Sequence, residues 1–270
     1  MKLVKKKIEG TWMWLNPHDR GISHRLIAKG GREPCFMYVL KKEAFGIAYD
    51  VGANLGYTML PMADRCDKVY AWEPDDRSRM LLEKNVELNK LKNVVISRKA
   101  ISNVCGWKTF EMAAKPNLSK LANKEPVEKI LNFDNKTPVV TIDFYGGYPN
   151  FIKMDIEGGE VNALKGAMKT LKAAKDLKIL IEVHPQHYSS DNDFSFVLCK
   201  LMDMGYGIKY IINAKGKRHL FKGYKLVKEF KKFPRAIYEG QNTIREVEWI
   251  CTFPKDGLKV VRAILLERKV

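Results

Sequence analysis

Two rhythms of apolar and polar positions take turns along this chain. Short continuous apolar runs at 46–51, 68–73, 94–97, 139–142, 151–155, 179–183, 207–212 and 260–266 have the length of buried strands. Between them lie helical patterns at 56–65, at 160–173 after the Gly158-Gly159 turn, and at 193–204. The clearest opens at Pro74-Asp75-Asp76, runs to about residue 89, and carries Met80, Leu81, Leu82, Val86 and Leu88 on one face. A further short strand is expected near 107–112. The polar stretch 115–136 has weak periodicity and reads as an insertion or a cover over a site. Strands alternating with helices predict an α/β fold, a mostly parallel sheet with helices on both faces. Residues 1–45 form an N-terminal extension packing on the core, and residues 46–270 a single domain.

Composition narrows the class. With 270 residues and 46% hydrophobic content the chain can fill a substantial core. No apolar run approaches membrane-spanning length, so no transmembrane segment is expected. The lysines of the N-terminus are not followed by the apolar stretch of a secretory signal. Cys35, Cys66, Cys105, Cys199 and Cys251 are odd in number and never spaced as Cys-x-x-Cys, which suits a reducing cytoplasm and no disulfide frame. The formal charge of +17 leaves open a polyanionic partner, nucleic acid included, or lysines that only solvate the surface. Charge is most concentrated at about 214–236, where Phe221, Tyr224, Phe230 and Phe233 are interleaved. That segment suits either a phosphate-bearing partner or a surface loop with apolar anchors.

Chemistry enters at the first strand. It ends on Asp50 and runs into a turn, Gly52-Ala53-Asn54-Leu55-Gly56, and the strand at 68–73 ends on Glu73. A glycine turn followed by an acid about twenty residues later is how a Rossmann-like sheet holds a nucleoside, the acid taking the ribose hydroxyls. In a dinucleotide-binding Gly-x-Gly-x-x-Gly turn read from Gly52, Asn54 replaces the second glycine and Tyr57 the third. Both narrow the space for a pyrophosphate. S-adenosylmethionine has no phosphate, and its zwitterionic methionine end suits Asp50 and Asn54. Asp50, Glu73, Ala100, Asp155 and Glu182 all fall at carboxyl ends of expected strands, the rim where such sheets bind ligands.

The run Phe151-Ile-Lys-Met-Asp-Ile-Glu-Gly-Gly-Glu160 resembles the Ile-Lys-x-Asp-x-Glu-Gly signature of FkbM-type S-adenosylmethionine-dependent methyltransferases. The resemblance takes in Asp50-Val51-Gly52-Ala53-Asn54-Leu55-Gly56, Glu73-Pro74, Ala100-Ile101-Ser102 and Ile181-Glu182-Val183-His184. With Asp19–Ser23 and Arg32-Glu33 upstream, it extends from about residue 19 to about 210. It implies a class I methyltransferase, Rossmann-like, with a seven-stranded sheet. It also implies that Gly52, Ala53 and Gly56 form the cofactor turn, with Asp50 and Asn54 near the methionine moiety. Glu73 matches the ribose acid, Ala100 and Ser102 the turn along adenine, and Asp155 the residue nearest the methyl group and acceptor.

Methyl transfer to a hydroxyl is helped by a base, for which Asp155, His184 and Glu182 are the candidates in that order. The same three could hold a divalent cation, although no second aspartate adjoins Asp155 and Glu157 could cap the next helix, so no metal is expected. The acceptor is expected to be a hydroxyl of a sugar, glycan or small metabolite. RNA held by the basic segment and a binding domain without catalysis are the alternatives. The connection 144–150 is short for the family and the segment after residue 213 matches no family motif, so neither specifies the acceptor.

Overall fold

The computed structural model describes residues 2–122, 135–214, 225–229, 235–239 and 261–268. In chain order a hairpin of β1 (Val4–Ile8) and β2 (Thr11–Leu15) leads to α1 (Ile22–Lys29), α2 (Pro34–Glu43), β3 (Ile47–Val51), α3 (Met59–Ala63), β4 (Lys68–Trp72), α4 (Asp76–Leu88) and β5 (Val94–Ser97). Then follow β6 (Ala100–Ile101), β7 (Gly106–Glu111), β8 (Lys120–Leu121), β9 (Lys136–Val140), α5 (Ile142–Tyr145), β10 (Phe151–Met154), α6 (Glu160–Lys165) and α7 (Met168–Ala173). The chain continues through β11 (Lys178–Glu182), α8 (Phe194–Asp203), β12 (Tyr206–Ala214), β13 (Lys225–Glu229), β14 (Arg235–Glu239) and β15 (Val261–Arg268).

Among the described residues nine strands pair in the order β13-β14-β12-β15-β11-β10-β3-β4-β5. The five from β11 to β5 are parallel, and β15, β12, β14 and β13 continue antiparallel. The expected seven-stranded Rossmann-like sheet is therefore present and extended by two strands. Lys225, Leu226 and Lys228 of the outermost strand are exposed. Lysines on an edge discourage pairing with another chain, a role open to Lys225 and Lys228. Residues 215–224 and 230–234 of the basic segment lie outside the described residues.

Helices cover both faces because the central strands are apolar on both. Tyr49, Val51, Ile152 and Met154 face the layer of α6, α7 and α8. Ala48 and Phe151 face the other side, where they cluster with Ile8, Met13, Leu26, Val39 and Leu40 of the N-terminal elements. Local chemistry sets the boundaries. Asp75 caps α4 by accepting from Arg77 N–H, and Asp193 caps α8 through Ser195 N–H. Ile142, expected in a strand, starts a helix instead, since the Thr141 side chain caps it by accepting from Phe144 N–H. The helix expected over 160–173 breaks at Gly166, where a Cβ would lie 2.1 Å from the Ser102 carbonyl oxygen.

Chain order reverses between β3 and β10: from β3 the chain builds outward through β4 and β5, then returns to the other side of β3 with β10. Such a switch point opens a crevice at the carboxyl ends of the strands.

Candidate active site

The crevice is a cleft of about 720 Å³ of empty space, part of it open to solvent. Its wall includes Gly52, Asn54, Glu73, Ala100 and Asp155, so five of the expected site residues meet in one place. Ile101, Phe110 and Leu121 supply apolar surface, and Pro116, Asn117, Ser119 and Lys120 come from the stretch read as a cover. The remainder of that stretch, 123–134, lies outside the described residues.

Gly52 is required by two constraints. Its φ of +81° is left-handed, and a Cβ there would lie 2.0 Å from the Asp155 carbonyl oxygen. The end of β10 therefore closes directly onto the turn. Gly56 serves packing instead: it does not line the cavity, and a Cβ would meet Leu82 of α4 at 2.9 Å. Ala53 also stays behind the wall, its N–H donating to the Trp72 carbonyl.

Asp50 departs most from expectation. It is fully buried and absent from the cavity wall. Asp50 and Lys153 are register partners on β3 and β10, so their side chains share a face, and Lys153 Nζ lies 3.0 Å from Asp50 Oδ1. The same ammonium donates to the Gly52 carbonyl (2.7 Å), and Thr58 donates to Asp50 Oδ2 (3.0 Å). Burial works against the Lys153 charge, but Asp50, Asp155 and Glu182 outweigh it and hold its pKa above the ordinary value. Asp50 thus braces the glycine turn from beneath. Ser102 is likewise buried and off the wall, its N–H donating to the Val140 carbonyl.

Glu73 sits on the wall, nearly buried. Asn54 N–H and Asp75 N–H donate to its two oxygens at 2.8 Å each. Burial pushes its pKa up to about 7 against the pull of those two donors.

Beyond Asp155 the carboxylates crowd round His184, which is buried. Its Nδ1 lies 3.0 Å from Glu160, and Nε2 lies 3.5 Å from Glu182 and 3.6 Å from both Asp155 and Glu157. Burial opposes a charge on this ring, but Glu160, Glu182 and Asp155 overcome it and push the pKa up to about 11. His184 does not line the cavity; bonded to Glu160 and facing three more carboxylates, it clamps the cluster. Glu182 does not line the cavity either; it is buried, pushed up to about 8 by burial and Asp155, and held by Arg262. Burial alone would raise Asp155, yet Lys153, His184, Arg32 and Arg262 bring it below its ordinary value. Of the three base candidates, the cavity exposes Asp155 alone.

A divalent cation could draw on Asp155, Glu157 and His184, whose ligand atoms converge within 4.8 Å. It would have to displace the imidazole proton first. Glu157 faces this cluster and the cavity and does not cap the following helix. That helix has no side-chain cap; its first residue, Glu160, instead holds the preceding turn, accepting from Ile156 N–H and Gly158 N–H.

The methyltransferase FkbM domain matches residues 50–208 of this sequence. The chain belongs to the FkbM methyltransferase family. Solved structures similar to this FkbM member include methyltransferase FkbM from Methylobacillus flagellatus KT, 20% identical, with a TM-score of 0.43 over 71% of this chain and 42% of that one. Trm5b from Pyrococcus abyssi is 13% identical, with a TM-score of 0.45 over 100% of this chain and 57% of that one. TYW2 from M. jannaschii in complex with AdoMet is 17% identical, with a TM-score of 0.39 over 99% of this chain and 87% of that one. The chain thus spans about half the length of the first two. No curated protein matches its sequence.

Sequence reasoning missed several residues of this FkbM site. Arg32 lines the cavity from the N-terminal extension, and Arg262, far beyond the matched segment, bonds Glu182 and Glu33. A cation was to be expected, since so many acids at one rim need counter-charges, but no local pattern says which segment supplies it. Trp72 and Asn117 also line the cavity, and each has a buried polar atom, Nε1 and Oδ1, without a hydrogen-bond partner among the described residues.

Proposed function

We propose that this chain transfers a methyl group from S-adenosylmethionine to a hydroxyl on a sugar, glycan or other small metabolite. One observation carries the reading: Gly52, Asn54, Glu73, Ala100 and Asp155, the positions that match the family's cofactor motifs, share a single cavity at the switch point of the sheet. Its wall suits an adenosyl group on grounds of its own. Ile101, Phe110 and Leu121 give it apolar surface on which an adenine can pack, with Asn54, Asn117 and Ser119 as polar neighbours.

When bound, the cofactor supplies a methyl carbon already activated by its sulfonium. Glu73 would receive the ribose hydroxyls, and Asp155 and Glu157 are the carboxylates presented to an acceptor hydroxyl. Alignment of donor and acceptor is the protein's main contribution in such a displacement. Asp155, kept ionised by four surrounding cations, is suited to orient that hydroxyl and to stabilise charge as its proton leaves.

A nucleic-acid acceptor is the second reading, favoured by the charge of +17. The described part of the basic segment weakens it. β14 stands five strands from β3, about 24 Å at ordinary strand spacing, so this hairpin could grip only an extended polymer. Titration calorimetry with S-adenosylmethionine, S-adenosylhomocysteine and NAD tests the cofactor. We expect binding of the first two and none of NAD; uptake of NAD alone would sink the reading. An acceptor screen with methyl-labelled donor then separates small hydroxyl compounds from RNA.

A further inference from the structure

Once Asp50 is committed to Lys153, the glycine turn has lost the acid expected to meet the methionine end of the cofactor. The wall offers a different group. Arg32 and Lys120 are the cations among the described lining residues, and they are held in different ways. Lys120 is on β8, next to Leu121 and 3.4 Å from His187. Arg32 is anchored to the turn itself. Its backbone N–H donates to the Tyr57 hydroxyl (2.9 Å), and its carbonyl lies 2.8 Å from the same oxygen. Tyr57 directly follows Gly56, so the two segments are pinned together where Asn54 faces the cavity.

The guanidinium is oriented as firmly as the backbone. Its Nε and Nη2 both donate to Glu33 Oε1 (3.0 and 2.8 Å), and Arg262 Nη2 reaches the same oxygen at 3.3 Å. Two arginines share one carboxylate oxygen, so Glu33 fixes the fork without matching its full charge. An arginine carries five donors, and among the described residues Nη1 has no partner.

We propose that Arg32 binds the carboxylate of the amino-acid end of S-adenosylmethionine, making the N-terminal extension part of the cofactor site. The inference rests on the cofactor reading above. A carboxylate matches a guanidinium fork in shape and charge. The neighbouring Asp155 and Glu157 then stand ready for the ammonium and the sulfonium, so the zwitterion is met by opposite charges at each end.

Calorimetry with two ligands tests this. S-adenosylhomocysteine carries the amino acid, whereas 5′-methylthioadenosine has the same nucleoside and thioether without it. In Arg32→Met we expect S-adenosylhomocysteine to bind about tenfold more weakly or worse, the usual loss of a charge-assisted pair. Methylthioadenosine should bind as in the wild type, and Arg32→Lys should recover part of the lost affinity. Equal weakening of both ligands would mean that Arg32 only shapes the site, and would overturn the proposal. So would unchanged S-adenosylhomocysteine binding, or a selective loss in Lys120→Met in place of Arg32→Met. If the wild-type protein bound neither ligand, the cofactor reading itself would fail, a result distinct from any of these.

Discussion

Glu73 links cofactor binding, stability and pH through one buried carboxyl. It is 6% exposed, two backbone N–H groups hold it, and burial pushes its pKa to about 7 from an ordinary 4.5. The folded state therefore keeps a proton that the unfolded chain releases at lower pH. Stability from this group is fully present below pH 4.5 and is lost as pH rises through 7. The shift corresponds to a loss of about 3 kcal/mol across that window, at 1.36 kcal/mol per unit. Glu73→Gln removes the titration and leaves an amide N–H₂ facing a backbone N–H, a cost of roughly 1–3 kcal/mol at any pH. Urea unfolding at pH 5 and pH 8 should show the variant clearly less stable at pH 5. By pH 8 its deficit should shrink by about 2.5 kcal/mol. If the difference between the two proteins were the same at both pH values, the buried-carboxyl argument would be refuted. Ligand binding gives a second reading of the same group. Ribose hydroxyls donating to Glu73 favour its ionised form, so affinity for S-adenosylhomocysteine should improve about tenfold between pH 6 and pH 8 in the wild type and stay flat in Glu73→Gln.

Four other substitutions probe the frame around the site. Lys153→Met leaves Asp50 buried without its partner and should destabilise the fold by about 3–5 kcal/mol; adding Asp50→Asn should restore much of this, as chemical denaturation of the double variant would show. Gly52→Ala places a methyl against the Asp155 carbonyl, so calorimetry should find cofactor binding abolished even where circular dichroism shows the fold retained. Asp155→Asn should lower methyl transfer, measured with labelled donor, far more than donor affinity; equal losses in both would assign it to binding alone.

Much of this arrangement was legible in the sequence because it follows from local chemistry. A glycine turn after an apolar strand, an acid at the end of the next strand, and Asp155 at the end of a third must share a rim once the strands are parallel, as the cavity wall bears out for Gly52, Glu73 and Asp155. Asp50 was misplaced because strand ends were read singly. An acid inside an apolar strand with buried neighbours needs a partner, and Lys153 is the cation at the matching register of the adjacent strand. The pairing could have been found by aligning the two strands before assigning roles. His184 misled for a related reason. Its ordinary pKa suits a base, but four carboxylates drawn from the turn after β10, the start of α6 and the end of β11 surround it, and only the fold brings them together.

What local reading cannot reach is the part of the site that arrives from far along the chain. Arg32 and Glu33 precede the family segment, Arg262 follows it, and all three converge on Glu182 and Asp155. Sheet pairing and one anchoring hydroxyl bring these distant segments together. β15 runs antiparallel beside β11, which puts Arg262 at the same rim as the carboxyl end of Glu182's strand, and α2 begins where Tyr57 pins it to the glycine turn. A carboxylate cluster built by the family motif would be unstable without cations, and here Lys153 and His184 come from within the family segment and Arg32 and Arg262 from outside it. The flanking segments thus supply half of the cations that balance the cluster. Exchanging those flanks between members should therefore change the affinity for charged ligands more than the position of the nucleoside.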